Sequence, residues 1–207
     1  MNRKAYLISM ILLFSLLLAA FVPVALPEQE GEEVTLVIGF TSSITGKYET
    51  SSGRQVRGFN LWMEQVNAAG GIKLSDGTIV NFEAVTYDDE SASERVQELY
   101  TILATEDEAD LLISPYSSGL TAAASVIAEQ YGKVMITTGA ADDNNYKQGF
   151  TQVFQIYTPA SGYLAGAVDL LAATDPDVSK VAFVYENSNF STSVVEAAKA
   201  YAESQGY

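Results

Sequence analysis

Short apolar runs alternate along this chain with amphipathic helical stretches, and that alternation restricts the available folds more than any other feature. Val34–Phe40 (VTLVIGF) is nearly continuous apolar sequence, as expected of a strand buried on both faces. Val56, Phe59, Met63 and Val66 then recur at helical spacing, and Gly70-Gly71 closes that helix. Thr78–Tyr87 alternates as a strand. In the helix that follows, Ser91 and Glu94 have capping-box spacing, and Val96, Leu99 and Leu103 form its apolar stripe. Asp110–Ser114 reads as the next strand, and its helix ends at Gly132. Val134–Thr138 and Val153–Tyr157 read as strands separated by a polar loop. Ala160–Ala173 reads as a small-residue helix, Lys180–Glu186 as a strand, and Ser191–Tyr207 as a helix stopping at Gly206. A strand and a helix every ~30 residues define an α/β fold with parallel sheets flanked by helices. A crossing between two lobes is expected around Phe150–Ser161, with one lobe over 34–155 and the start of another over 156–207.

The strand ends carry the functional signal. They run into Gly39–Gly53, Ser114–Gly119, Thr137–Asn145 and Tyr185–Ser193, four loops rich in hydroxyls, amides and glycine. In an open α/β sheet the carboxyl ends of the strands line one crevice, where ligands bind. Ser117, Ser118 and Gly119 fall where a strand hands over to a helix. A helix start has free amide donors and a partial positive charge, which suits an anion. One such serine is most simply an N-cap. Recurrence at four loops favours a ligand site.

Composition removes whole classes of chemistry. With no histidine and no cysteine, Ser-His-Asp and Cys-His catalysis, His/Cys zinc sites and disulfides are all impossible. The formal net charge of −15 opposes binding to a phosphate backbone, so nucleic acid is not an expected partner. The Gly39–Lys47 stretch fails as a P-loop because six residues separate its glycines and Tyr48 follows the lysine. No G-x-G-x-x-G follows the first strand. Asp88-Asp89-Glu90 precedes a helix, where acids favour the helix N-terminus more often than a cation. No metal and no cofactor is expected. Asn189-Phe190-Ser191 matches the N-glycosylation pattern, which has meaning only in a host that glycosylates exported proteins.

The start of the chain sets its compartment. Arg3 and Lys4 precede an apolar run from Ala5 to Val22, and Pro and acidic residues follow. Residues 1–26 therefore read as an export signal, either cleaved or kept as a signal-anchor, and 27–33 as an acidic spacer. The apolar run exceeds the ~7–15 residues usual in a cleaved signal, and no clean A-x-A site follows it. The rest of the chain is expected outside the cytoplasm, touching a membrane only through an uncleaved N-terminal segment.

IGFTSSITGKY, FNLWMEQVNAAGGI, YDDESAS, SPYSSGLTAAASVIAEQYG and VMITTGAAD, in that order from about Val34, resemble the periplasmic-type (type I) solute-binding proteins of the branched-chain amino acid and amide family. That resemblance implies two α/β lobes joined by crossing strands, the second incomplete in this chain, closing on a ligand without chemistry. It further implies a ligand carboxylate held by Ser117, Ser118, Gly139, Ala140 and Ala141. Tyr48 would cover the ligand side chain from the first lobe and Phe190 from the second; independently of the resemblance, Tyr116 joins these two as a flat apolar wall residue. Relatives often have Thr at Ala141 and Tyr at Phe190, so two hydroxyl contacts are missing here. The expected role is the substrate-binding component of an ABC importer, partnered by a membrane permease and binding a neutral, largely apolar amino acid or amide. The sensor domain of a membrane receptor has the same fold, and an exported carboxylate-based hydrolase is the rival from another class.

Overall fold

The computed structural model of the chain describes residues 31–207 except Pro176. The expected signal segment, residues 1–26, lies outside the described residues. Among those that are described, no helix is long and apolar enough to cross a membrane.

A six-stranded sheet forms the centre, in the order β2-β3-β1-β4-β5-β6. Its strands are β1 (Glu33–Ser42), β2 (Ile72–Lys73), β3 (Ile79–Asp88), β4 (Leu111–Ile113), β5 (Val134–Thr137) and β6 (Val153–Gln155). Every pairing is parallel except β2 with β3, an antiparallel edge that the helical and strand periodicities do not reveal. β1 pairs with β3 from Glu33↔Ile79 to Ser42↔Asp88, so the last spacer residue already belongs to the sheet.

Helices cover both faces, and the two-residue period of the strands explains how. Helix α1 (Glu49–Ala68) packs Phe59, Met63 and Val66 on one face against Leu36, Ile38, Val80 and Phe82. Helices α2 (Ser93–Thr105) and α3 (Ser118–Gln130) cover the other, where Val96, Tyr100, Leu103, Leu120 and Ala124 meet Val37, Val85, Leu112 and Met135. Neighbouring residues of β1 and of β4 thus enter opposite cores, as alternation of side chains demands. Asn67 at the end of α1 donates to Phe82 O (2.7 Å) and accepts from Phe82 N (3.0 Å). It stands in for a neighbouring strand beyond the two residues of β2 and so blunts an open edge.

Two local expectations are overturned. Ser91 does not cap α2: the helix begins at Ser93 after Ala92, which offers no side-chain cap. Instead the Ser91 hydroxyl accepts from Tyr48 N (3.1 Å) and donates to Thr45 O (3.1 Å), across the sheet end. Nor do Asp88 and Asp89 serve the helix start. Asp89 is fully buried and accepts from Thr41 Oγ1 (2.7 Å), Ser43 Oγ (2.6 Å) and Ser91 N (2.9 Å). Asp88 accepts from Ile44 N (2.9 Å), Thr45 Oγ1 (2.9 Å) and Glu90 N (2.9 Å), and these bonds outweigh desolvation to hold its carboxyl below the usual range. The two acids moor the loop after β1.

Beyond β6 the chain forms a 3₁₀ turn (Ala160–Gly162), α4 (Ala165–Thr174) and α5 (Asn189–Ser204). The helix expected over 160–173 is thus two elements, with Tyr163 and Leu164 between them. The strand expected at Lys180–Glu186 is absent: among the described residues no strand lies beside it, and Val184 is 99% exposed. A strand needs a partner for its backbone groups, which local apolar sequence does not provide. Ala141, Ala160 and Val194 form a small buried cluster with Leu164, and Ala160 N donates to Ala141 O (2.7 Å).

Candidate ligand-binding site

Strand order reverses at β1, which has β3 on one side and β4 on the other. The loops after β1 and β4 therefore leave the sheet in different directions and open a crevice at their carboxyl ends. Tyr48 follows the moored loop after β1, Tyr116 follows β4, and the two rings meet edge to face at 5.8 Å between centroids. A cavity of about 580 Å³ opens beside them, within the range of small-molecule sites. Gly46 lets the first loop turn: its φ is +90°, and a Cβ there would lie 2.6 Å from Glu90 O.

The serines after β4 divide their tasks. Ser114 is fully buried, donates its N–H to Ile136 O (3.0 Å), and accepts from Thr138 N at its hydroxyl (3.3 Å). Ser117 caps α3 by accepting from Leu120 N (3.2 Å), with φ 96° and ψ 148°. That backbone region belongs almost entirely to glycine, and strain of this kind gathers at functional sites. The Ser118 hydroxyl accepts from both Ala141 N (3.2 Å) and Asp142 N (3.1 Å), tying the loop after β5 to the start of α3. A hydroxyl has two acceptor positions and one proton. With both acceptor positions filled, Ser118 has only its proton to offer a ligand.

A second helix start faces the first. Ser188 caps α5 by accepting from Ser191 N (3.3 Å), and Ser188–Ser191 line the same cavity as Ser118–Leu120. The two ends are close: Asn189 Oδ1 stands 3.4 Å from where a Cβ on Gly119 would sit. The leading amides of each helix have no acceptor within it, and both dipoles present their positive ends. Lys47 adds a cation at the rim, 4.6 Å above the Tyr48 ring. Hydrogen bonding with Tyr48, and more weakly the charge of Glu186, holds its ammonium above its ordinary value. Among the described residues Glu186 is the one carboxylate in the wall.

Of the residues singled out from sequence, Tyr48, Tyr116, Ser117, Ser118, Gly139, Ala141 and Phe190 line the cavity together. Ala140 does not. It is fully buried, with its carbonyl accepting from Tyr146 Oη (2.9 Å). The Ala141 N–H, expected to serve a ligand, is already given to Ser118. Gly139 is closely packed: a Cβ would come within 2.7 Å of Gln55 Oε1 and 3.0 Å of Tyr116 Cδ2, so one of these side chains would have to shift. Gln55 in turn donates to Ser114 O (2.8 Å) and Thr138 Oγ1 (2.7 Å), clasping the ends of β4 and β5.

Sequence reasoning missed Tyr157 and Tyr163, which line the same cavity as Tyr48 and Tyr116. Tyr163 meets Phe190 edge to face at 5.3 Å. Burial and the neighbouring phenols of Tyr157 and Tyr116 push its hydroxyl up to about 12. The available signal was an aromatic on each side of Pro159, Tyr157 within the expected crossing and Tyr163 just past it. A second cavity of about 470 Å³ shares Ser51, Tyr116, Gly139 and Tyr157 with the first and reaches Arg54 and Phe59.

Two helix starts and a set of aromatic rings thus border one cavity at the carboxyl edge of an α/β sheet. The chain belongs to the periplasmic binding protein family, whose model matches residues 35–207. A Leu/Ile/Val-binding protein homolog 8 of Brucella abortus (strain 2308) is 28% identical over 158 residues, which is 73% of this chain and 38% of that protein. Among solved structures, the branched-chain amino acid transporter substrate-binding protein LivJ of Streptococcus pneumoniae, in complex with isoleucine, matches with a TM-score of 0.67. It is 24% identical and aligns over 84% of this chain and 47% of its own. A solute-binding protein of an ABC transporter from Rhodopseudomonas palustris BisB5, in complex with 3,4-dihydroxybenzoic acid, matches with a TM-score of 0.70. It is 14% identical, over 83% of this chain and 45% of its own. The chain thus spans less than half the length of each of these proteins.

Proposed function

We propose that this chain is the ligand-binding part of an exported substrate-binding component of an ABC importer. In this reading residues 34–155 form the first lobe and 156–207 begin the second. The ligand is a small neutral amino acid, amide or related carboxylate, held in the cleft and delivered to a membrane permease. The observation that carries the reading is the pair of neighbouring helix starts that line one cavity together with Ser118. Uncharged donors there neutralise a carboxylate without a counter-charge, while Lys47 and Glu186 leave a zwitterion a partner of either sign at the rim. Membership of the periplasmic binding protein family supports the transport role, and solved neighbours hold isoleucine in one case and a dihydroxybenzoic acid in another.

The test is a thermal-shift screen of the full-length protein against amino acids, amides, sugars and dicarboxylates. A ligand at about 100 times its dissociation constant adds roughly 2.7 kcal/mol of stability. Stabilisation by a monocarboxylate or amide is the expected result. Stabilisation by sugars or dicarboxylates alone overturns the proposal.

A further inference from the structure

We propose that Asp143 is a latch between the lobes: its carboxylate fastens the crossing and helix α5 to the loop after β5, and so positions the far wall of the cleft before any ligand arrives. This rests on the proposed division into a first lobe over 34–155 and a second from 156 onward. Asp143 opens a short 3₁₀ turn, Asp143–Tyr146, whose neighbours anchor it in the first lobe. Asp142 N donates to Ser118 Oγ (3.1 Å), Asn145 Nδ2 donates to Ser118 O (2.9 Å), and the Tyr146 hydroxyl donates to Ala140 O (2.9 Å). Asp142 and Asn145 are buried. From that fixed base the Asp143 side chain reaches the other way, to segments that follow β6. Its carboxylate accepts from Ser161 N (2.9 Å) and Ser161 Oγ (2.8 Å), one on each oxygen, and from Ser193 Oγ at 3.5 Å. Ser161 lies in the 3₁₀ turn at the end of the crossing, and Ser193 lies near the start of α5. One carboxylate thus joins segments 18 and 50 residues away.

Hydrogen bonds to an ionised acceptor are roughly twice as strong as neutral ones. Two of them on one residue fix both the place and the orientation of the Ala160–Gly162 turn. The third contact is long and correspondingly weak, so Ser161 is the main hold and Ser193 an auxiliary one. Helix α5 packs directly on that turn, and whatever holds the turn holds the helix. Among the described residues, the bond from Ser193 to Asp143 is the one hydrogen bond between α5 and the first lobe. The packing there is slight: Val194 meets Ala141 and Ala160, whose small side chains bury little apolar area. A backbone bond from Ala160 N to Ala141 O (2.7 Å) lies beside the latch and survives any change of side chain, so the carboxylate is the part that a substitution releases. The start of α5 carries Ser188, Asn189 and Phe190, which line the cavity. Turning the crossing against the first lobe carries these three away from Ser118 and Gly119.

The distance between the lobes tests this directly. The chain has no cysteine, so Gln97→Cys on α2 and Ala200→Cys on α5, both at exposed positions, place one spin label on each lobe of the full-length protein. Pulsed dipolar spectroscopy without ligand then gives one dominant distance in the otherwise wild-type protein. Asp143→Ala raises a longer-distance population from below about one molecule in ten to about one in three or more. Ser161→Ala gives the same shift and Ser193→Ala a smaller one, and these two variants decide the matter if Asp143→Ala does not melt cooperatively. A residue that only props its own turn lowers the melting temperature and leaves the distance distribution as it was. An unchanged distribution in folded Asp143→Ala or Ser161→Ala therefore overturns the latch, as does an otherwise wild-type protein already spread over both distances. No ligand enters the measurement, so that failure leaves the import reading standing, and failure of every ligand in the thermal-shift screen leaves the latch standing.

Discussion

Replacing Ser118 with alanine removes two things at once, and the geometry separates them. The first is structural. Ala141 N and Asp142 N, at 3.2 and 3.1 Å from the hydroxyl, lose their shared acceptor in a place where Ser118 is 2% exposed. Stranding buried donors costs about 1–3 kcal/mol, even with some relaxation of the loop. For a domain of this size each kcal/mol lowers the melting temperature by about 2–4 °C. The second is the proton that the hydroxyl offers to a bound carboxylate. Its loss costs roughly 1.5–3 kcal/mol, or about 10- to 150-fold in affinity. Scanning calorimetry of the ligand-free full-length Ser118→Ala protein measures the first effect. Titration well below its melting temperature measures the second. Wild-type melting with weakened binding refutes the role of the hydroxyl in holding the loop after β5. Lowered melting with unchanged affinity refutes its contact with ligand.

Three further substitutions probe the same region. Ser117→Gly gives the φ of 96° to the residue that tolerates it and loses little as a cap, so it stabilises the protein by about 1 kcal/mol in urea unfolding; a loss of stability contradicts the strain. Gly139→Ala forces a Cβ against Gln55 Oε1 and Tyr116 Cδ2 and costs about 1–3 kcal/mol, with weaker ligand binding from the displaced Tyr116 ring; a neutral variant shows that the neighbours yield freely. Asp143 is exposed to opposing influences: burial raises its carboxyl, but the Ser161 hydroxyl and N–H (2.8 and 2.9 Å), aided by Lys147, carry it below the ordinary value. A lowered native value stabilises the fold above the unfolded value of about 3.9 and loses that contribution as pH falls through the native one. The stability gap between wild type and Asp143→Asn is therefore constant above about pH 5 and narrows below about pH 4; a gap that persists undiminished at pH 2–3 refutes the linkage.

What the amino-acid order determined on its own was the part of the structure governed by short-range periodicity. Apolar residues at spacing two in β3 and at spacing three to four in α1 and α2, with the unbroken apolar run of β1, specify which faces are buried, because a strand or helix exposes its pattern within one or two turns. Gly70, Gly132 and Gly206 mark helix ends for the same local reason, each with positive φ. The strand-to-helix junction at Ser117–Gly119 was likewise legible. Tertiary structure alone decided what each polar group does there. Asp89 turned inward to Thr41 and Ser43, more than forty residues away, and Ser91 reached Thr45 and Tyr48 rather than its own helix. Ser118 spent its lone pairs on Ala141 and Asp142, while Ala140, next in line, was buried. Lys180–Glu186 has the composition of a strand, yet pairing is a property of two segments and no second one stands beside it among the described residues. Tyr157 and Tyr163 joined Tyr48, Tyr116 and Phe190 only through the packing of the segment after β6 against the carboxyl edge of the sheet. Hydrogen bonds and ring contacts depend on position in space to within a few tenths of an ångström, and a sequence encodes that only through the packing of the whole fold.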